Sequence, residues 1–313
     1  MTDEERDRLL KRADRTFGAN TIDQAIKPVK AIVGPRMPQG QENAERAREK
    51  LRNDEDPTPI ELAALEVMIR LLRPALLYRN GQIDDLPVNN EYAAELRQRW
   101  ADFRPRGAAL AFSVGRIDSI SGQHLGTGFL VAPDQIVTNH HVLEALSYGT
   151  MTLERGQGEI YFEAQWEPAD QNGPVAITRV IKDQPFLDIA LLEIDAAASA
   201  GRQVLAFDDH NPAEGDDVAV VGYPMKDIDR RNPRFTEMLF EGKYDVKRAA
   251  PGEIVRTSGQ IAFHDCSTLG GNSGSPVLSL DTAKVVGLHR SGTFMYRNEA
   301  VQVSDLRNFI TSH

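Results

Sequence analysis

Beyond Arg106 the chain is built almost entirely of short β-rich runs. "AALAFSVGRI", "LGTGFLVA", "QIVTNHHV", "AITRVIK", "DIALLEI", "DVAVVGYP", "EIVRTSGQIA", "SPVLSL" and "KVVGLHRSG" follow one another, punctuated by Gly, Pro and Asp, until "SDLRNFI" near the end reads as a helix. Parallel strands need crossover helices, and helical signals are nearly absent between these runs. The pattern therefore points to an antiparallel sandwich or paired barrels over roughly 200 residues.

Before Arg106 the hydrophobic period is helical. "TPIELAALEVMIRLLRPALLYRNG" opens with Thr58, Pro59 and Glu61 at the N-cap, first-turn and capping-box positions of a helix. Leu62, Leu65, Ile69 and Leu72 share one face, Pro74 ends or kinks the helix, and Asn80 and Gly81 supply a stop. "NEYAAELRQRW" reads as a further helix, and weaker helical patterns cover residues 2 to 17 and 40 to 52. The expected fold class is mainly β: a small all-α domain at residues 1–103, then a β domain at residues 104–313.

Composition narrows the function classes. With 41% hydrophobic and 26% charged residues among 313, the chain falls in the range of folded soluble proteins. A net charge of −10 gives no electrostatic footprint for nucleic acid. "MTDEERDRLLKRADRTF" is charged from its third residue, so it does not read as a signal peptide, and no apolar run approaches bilayer length. A single cysteine, Cys266, excludes intramolecular disulfides. These features predict a cytoplasmic protein with neither nucleic acid nor membrane as partner.

"TLGGNSGSP" places Ser273 among glycines. Taken alone, such a stretch is an ordinary turn. A serine hydroxyl becomes a nucleophile only beside a base that is itself oriented by a third group. The candidate bases are His140 and His141, where the apolar run of "IVTNHHVLEA" ends. The candidate orienting group is Asp188, directly before the apolar "IALLEI", with Asp183 and Asp195 flanking the same run. Cys266 has no base near it in sequence and reads as a small buried residue. Lys247 and Arg248 in "YDVKRAAPG" read as solvated loop charges.

"VTNHHV", "DIALLEI" and "GGNSGSPV", in the order His, Asp, Ser, resemble the chymotrypsin-like serine peptidases. "DCSTLGGNSGSPV", "VVGYP", "VVGLHRSG" and "LRNFI" are most similar to the bacterial glutamyl endopeptidases. The resemblance covers residues from about 108 to 312 and implies a double β-barrel. It also implies a triad of His141, Asp188 and Ser273, with His140 at the variable position. The oxyanion hole falls on the backbone N–H groups of Gly271 and Ser273. An aspartate at Ser267 would select Lys or Arg, so serine there disfavours trypsin-like specificity. Thr268 and His289 match the residues that hold an acidic side chain in that branch. The relatives' terminal amine has no counterpart, and Arg290 is the candidate positive charge in its place. The implied function is a serine endopeptidase cutting after acidic residues, Glu over Asp, with a protein or peptide substrate. No cofactor or metal is implied. Residues 1–103 would be a regulatory or adaptor domain that meets a regulatory protein partner. A second class also fits the sequence: a catalytically latent, peptidase-like binding module in a signalling or defence complex.

Overall fold

Capping chemistry sets the helices of the N-terminal third. The Thr2 side chain accepts from the Glu5 N–H while Glu5 accepts from the Thr2 N–H, opening α1 (Asp3–Phe17). Thr21 with Gln24 opens α2 (Ile22–Ala25) in the same way; α3 (Lys27–Val33) and α4 (Gln41–Arg52) follow. Thr58 with Glu61 opens α5 (Pro59–Leu71), as its sequence predicts. Phe17, Leu51, Leu65, Met68 and Ile69 bury the facing sides of α1, α4 and α5 in one cluster. The computed structural model describes residues 1–33, 40–87, 94–164, 173–196, 201–226, 233–293 and 297–312.

Two elements differ from expectation. After Pro74 the chain forms a hairpin, β1 (Leu76–Arg79) and β2 (Gln82–Ile83), which turns at Asn80 (φ 50°) and Gly81 (φ 73°). Asn-Gly with both φ angles positive is a hairpin turn rather than a helix stop. Proline had already ended the helix, leaving the apolar residues 75 to 78 free to pair as a strand. The second difference is α6 (Ala94–Ala111), which continues through Pro105, so "AALA" is helical and the expected boundary at 103/104 falls inside a helix. Trp100, Phe103, Leu110 and Ala111 are buried in a core shared with the strands, and that burial offsets the proline penalty.

The β region forms two closed barrels of six strands. β3 (Val114–Ser119), β4 (His124–Ala132) and β5 (Gln135–Thr138) lead into α7 (His140–Leu146). β6 (Gly158–Tyr161), β7 (Val175–Gln184) and β8 (Ile189–Ile194) then close the first barrel in the order β3-β4-β5-β8-β7-β6. β9 (Asp217–Gly222) begins the second, with α8 (Pro233–Leu239) before β10 (Arg248–Ser258). β11 (Ile261–His264), β12 (Pro276–Ser279), β13 (Val285–Thr293) and β14 (Arg297–Gln302) complete it, and α9 (Val303–Thr311) ends the chain. The pairing of β10 with β11 closes the ring β9-β10-β11-β14-β13-β12, and β1 adds to β10 from outside.

Strand alternation divides the core. Ile136 packs within the first barrel and Val220 within the second. Their neighbours Val137 and Val221 join a cluster that also holds Trp100, Phe103 and Tyr78. The fold is therefore a chymotrypsin-like double barrel with helices at the N-terminal side. Among the described residues no helix is long and apolar enough to cross a membrane.

Lys247 and Arg248, expected to be solvated, are buried where β10 starts between β1 and β9. The Lys247 ammonium donates to the carbonyls of Ala111 (2.6 Å) and Phe162 (2.8 Å), and burial pushes its pKa down to about 7. Arg248 donates to the carbonyls of Ala75 and Phe240. These carbonyls belong to other segments of the chain, which a local reading of "YDVKRAAPG" does not reveal.

Arg106 of α6 donates to the carbonyls of Leu280 and Asp281, both at 2.9 Å. Tryptic digestion under native conditions should therefore spare the Arg106–Gly107 bond until the protein unfolds. Mass spectrometry that found early release of a fragment starting at Gly107 would contradict a continuous α6.

Candidate active site

β5 delivers the histidine pair to the edge of a cleft. It ends at Thr138, and Asn139 is the N-cap of α7, but its amide reaches elsewhere and donates to the carbonyl of Asp188 (2.8 Å). His140 and His141 thus occupy the first turn of α7 and diverge. His140 Nδ1 lies 2.9 Å from Asp183 on β7. The backbone N–H of His141 donates to Asp188 Oδ1 (3.0 Å), and its Nδ1 lies 3.0 and 2.8 Å from the two oxygens of the same carboxylate. An ionised carboxylate only accepts, so Nδ1 carries the proton and Nε2 is left as a base. Asp188 takes φ 61° in the turn before β8, a left-handed conformation that aspartate adopts more readily than most non-glycine residues. Asp195, the remaining candidate, pairs with Arg155 (3.3 Å).

The serine turn comes from the second barrel and is fixed from behind. The Thr127 hydroxyl donates to the carbonyl of Gly271 (2.7 Å), and its N–H donates to that of Ser273 (2.8 Å). Gly274 N–H donates to the carbonyl of His289 (2.9 Å), and Ser275 and His289 close a further bond of 2.9 Å. Gly271 and Gly274 have φ 85° and 86°. A Cβ at Gly271 would lie 2.4 Å from the Tyr223 carbonyl and 2.7 Å from His124 Cε1; one at Gly274 would lie 2.0 Å from the Thr127 carbonyl. Glycine is demanded by the wall behind the loop and by positive φ, rather than by the approach of a ligand in front. Neither the Gly271 nor the Ser273 N–H donates to an acceptor among the described residues.

A cavity of about 570 Å³ is lined by His141, Asp188, Ser273, Thr268, His289 and Arg290, together with other residues of both barrels. Ser267 is placed elsewhere: its hydroxyl donates to the carbonyl of Arg73 (2.7 Å), against the helical region. Thr268 donates to Asn298 Oδ1 (2.9 Å), whose amide donates to the carbonyl of Cys266 (2.7 Å). Arg290 lies 3.7 Å from Glu299. His289 is only 2% exposed, and its Nδ1 meets Nε2 of His264 at 3.1 Å. Burial, with the His141 charge adding to it, pushes His289 down to about 3; burial lowers His264 as well. Both rings are neutral near pH 7. Cys266 is buried, and burial raises its thiol pKa, which keeps it unreactive.

His264 and Asn298 are site residues that sequence reasoning missed. They face each other across the β11–β14 ladder, yet lie 34 positions apart in the chain (298 − 264) with no local motif to join them. The strand alternation of "IAFHD" carried the only signal, because it turns His264 to the same side as Ala262.

A family model described as a trypsin-like peptidase domain matches residues 126–288, just over half of the chain. The chain belongs to that family. The chain is 25% identical over 202 residues to a glutamyl endopeptidase of Staphylococcus aureus strain MRSA252, covering 62% of this chain and 51% of that one. The relative from strain MW2 matches at the same identity, with 55% of its length covered, so the chain spans about half the length of the curated relatives it matches. Among solved structures, Deg5 superposes with a TM-score of 0.50 at 18% identity, over 70% of this chain and 95% of that one. A Mycobacterium tuberculosis protease superposes with a TM-score of 0.46 at 22% identity, over 66% and 89% of the two chains.

The two neutral histidines, His264 and His289, couple stability to pH. Their folded pKa values lie below the ordinary 6.5, so the unfolded chain takes up protons first as pH falls. Stability should be lost between pH 6.5 and about 3, the value to which His289 is lowered. Urea denaturation at pH 7.5 and 4.5 should show the wild type losing about 2 kcal/mol more than His289→Gln over that interval. Equal losses would contradict a buried neutral His289.

Proposed function

We propose that the protein is a serine endopeptidase in which Ser273 attacks the peptide carbonyl, His141 Nε2 takes and returns the proton, and Asp188 holds the ring. The observation that carries this reading is the His141 Nδ1 contact with Asp188 on the wall of the cavity that Ser273 also lines. That contact fixes the tautomer a base needs and stabilises the imidazolium that forms. The N–H groups of Gly271 and Ser273, which have no acceptor in the described residues, are the donors for the developing oxyanion. One such donor is worth about 2.7–4 kcal/mol in the transition state.

For the residue before the cut, the reading is an acidic side chain, Glu over Asp. The similarity to glutamyl endopeptidases supports it, and so does the chemistry of the pocket. His264 Nδ1 is buried without a partner. An unpartnered acceptor is tolerated better than an unpartnered N–H, which favours a bare Nδ1 and a proton on His264 Nε2. That proton is donated to His289 Nδ1, so His289 Nε2–H is the donor left for a ligand carboxylate. The Thr268 hydroxyl must rotate away from Asn298 to give a second bond. Arg290, with its partner Glu299 3.7 Å away, adds positive charge at the wall.

Ser273→Ala should lower peptide hydrolysis by on the order of 10⁶-fold with an unchanged melting temperature. Turnover at the wild-type rate would remove Ser273 from the mechanism. His141→Ala should be far more damaging than His140→Ala, since only His141 contacts Asp188; the reverse ranking would reassign the base. In a peptide library, Glu should lead at the residue before the cut, with Asp weaker by a factor consistent with about 1–3 kcal/mol per methylene. His289→Ala should reduce cleavage of Glu peptides much more than of Leu peptides. An Arg, Lys or bulky apolar preference with Glu absent would defeat the acidic specificity and leave the triad standing.

A further inference from the structure

The segment that forms one wall of the cavity begins on a buried carboxylate. Asp265 follows the last residue of β11, and its side chain is fully buried. Three residues on, Thr268 lines the cavity, followed by Leu269 and Gly270. One carboxylate oxygen of Asp265 accepts the Glu253 N–H at 2.7 Å. The other accepts three bonds: Arg12 Nε at 3.1 Å, Arg73 Nε at 3.0 Å and Arg73 Nη2 at 2.8 Å. Arg12 lies on α1, and Arg73 lies just beyond α5.

Among the described residues, the cations within ion-pair distance of Asp265 both come from the helical region, and the two barrels supply none. Arg12 is itself held by a bidentate pair with Glu66 of α5, 2.6 Å at each arm. A second tie runs the other way: the Ser267 hydroxyl donates to the Arg73 carbonyl at 2.7 Å. Residues 265 and 267 are thus fastened to Arg73 by its side chain and its backbone. A buried carboxylate deprived of its cations is driven toward water. Here that movement would carry Cys266, Ser267 and Thr268 with it.

We propose that Arg73, supported by Arg12, is a positioning residue for the 265–271 wall, so that the helical region is a built-in part of the working peptidase and not a removable inhibitor. This rests on the peptidase reading above. Neither guanidinium touches the cavity; both act through Asp265. The device needs no proteolytic cut to come into place, because its cations are side chains of the intact chain.

The test compares full-length Arg73→Met and Arg73→Lys with the wild type. In Arg73→Met, amide hydrogen exchange across residues 266–272 should accelerate on the order of tenfold or more while β3 to β8 keep wild-type protection. Fluorophosphonate labelling of Ser273, counted per folded molecule, should slow by a similar factor, as a wall displaced by about 1 Å implies. Arg73→Lys keeps the charge and should restore most of the labelling rate. A folded Arg73→Met with wild-type exchange in this segment and wild-type labelling overturns the proposal, as does a lowered melting temperature with neither change. If Arg73→Met does not fold, Arg12→Gln, which leaves both Arg73 bonds in place, is read by the same two measurements and the same outcomes. Exchange is measured without turnover, so a wild type that never labels would end the peptidase reading while this proposal is still judged on the exchange arm.

Discussion

Thr127 joins the two barrels at the point where the candidate chemistry sits. Its hydroxyl donates to the Gly271 carbonyl and accepts the Tyr223 N–H at 3.3 Å, and its own N–H donates to the Ser273 carbonyl. The histidine and aspartate belong to the first barrel and the serine to the second. Neither barrel alone can fix the distance between them. A strand of the first barrel that hydrogen-bonds the serine turn of the second makes the relative placement a matter of backbone geometry, which side-chain packing by itself could not specify so closely. The glycines follow from the same contact, because a turn drawn this close to Thr127 and Tyr223 leaves no room for a Cβ at Gly271 or Gly274.

The turn is therefore held on two sides by different means. Toward the first barrel the ties are neutral hydrogen bonds from Thr127. Toward the helices they are charge-assisted, through Arg73, Arg12 and Asp265. α1 also anchors the start of β9 through Arg15 and Asp217 (2.5 Å), and α6 adds Arg99 to the same carboxylate at 3.0 Å. The helical region grips the second barrel at several buried acids. The first barrel, which carries His141 and Asp188, is reached by α6 mainly through the shared apolar core.

Much of this was legible in the sequence because it is local. A capping box at Thr58, short alternating strands, and a serine among glycines are each written within a few adjacent residues. What escaped was set by partners distant in the chain. "AALA" has no property that separates strand from helix until Trp100 and Phe103 are seen to share its core. Asn80-Gly81 reads as a helix stop or a hairpin turn depending on whether β1 finds β10 to pair with. Lys247 and Arg248 read as solvated because their acceptors, the carbonyls of Ala111, Phe162, Ala75 and Phe240, are supplied by other segments. Ser267 was assigned to the pocket by its place before Ser273, whereas its hydroxyl is taken by the Arg73 carbonyl.

On the acidic specificity proposed above, the pocket would work with dipoles more than with charge. His289 and His264 are both held neutral by burial, so the acidic side chain proposed above would meet an imidazole N–H without a full counter-charge on either ring. That arrangement suits an enzyme that must also release its product. A fixed cation in a dry pocket would bind the substrate's carboxylate and the product's equally, lowering KM without lowering the barrier. In the proposed tautomer two neutral imidazoles orient one N–H, while Arg290 lines the cavity 3.7 Å from Glu299. On that reading selection would rest on whether the donors find an acceptor, because a ligand that displaces their water without replacing its hydrogen bonds leaves them unpaired.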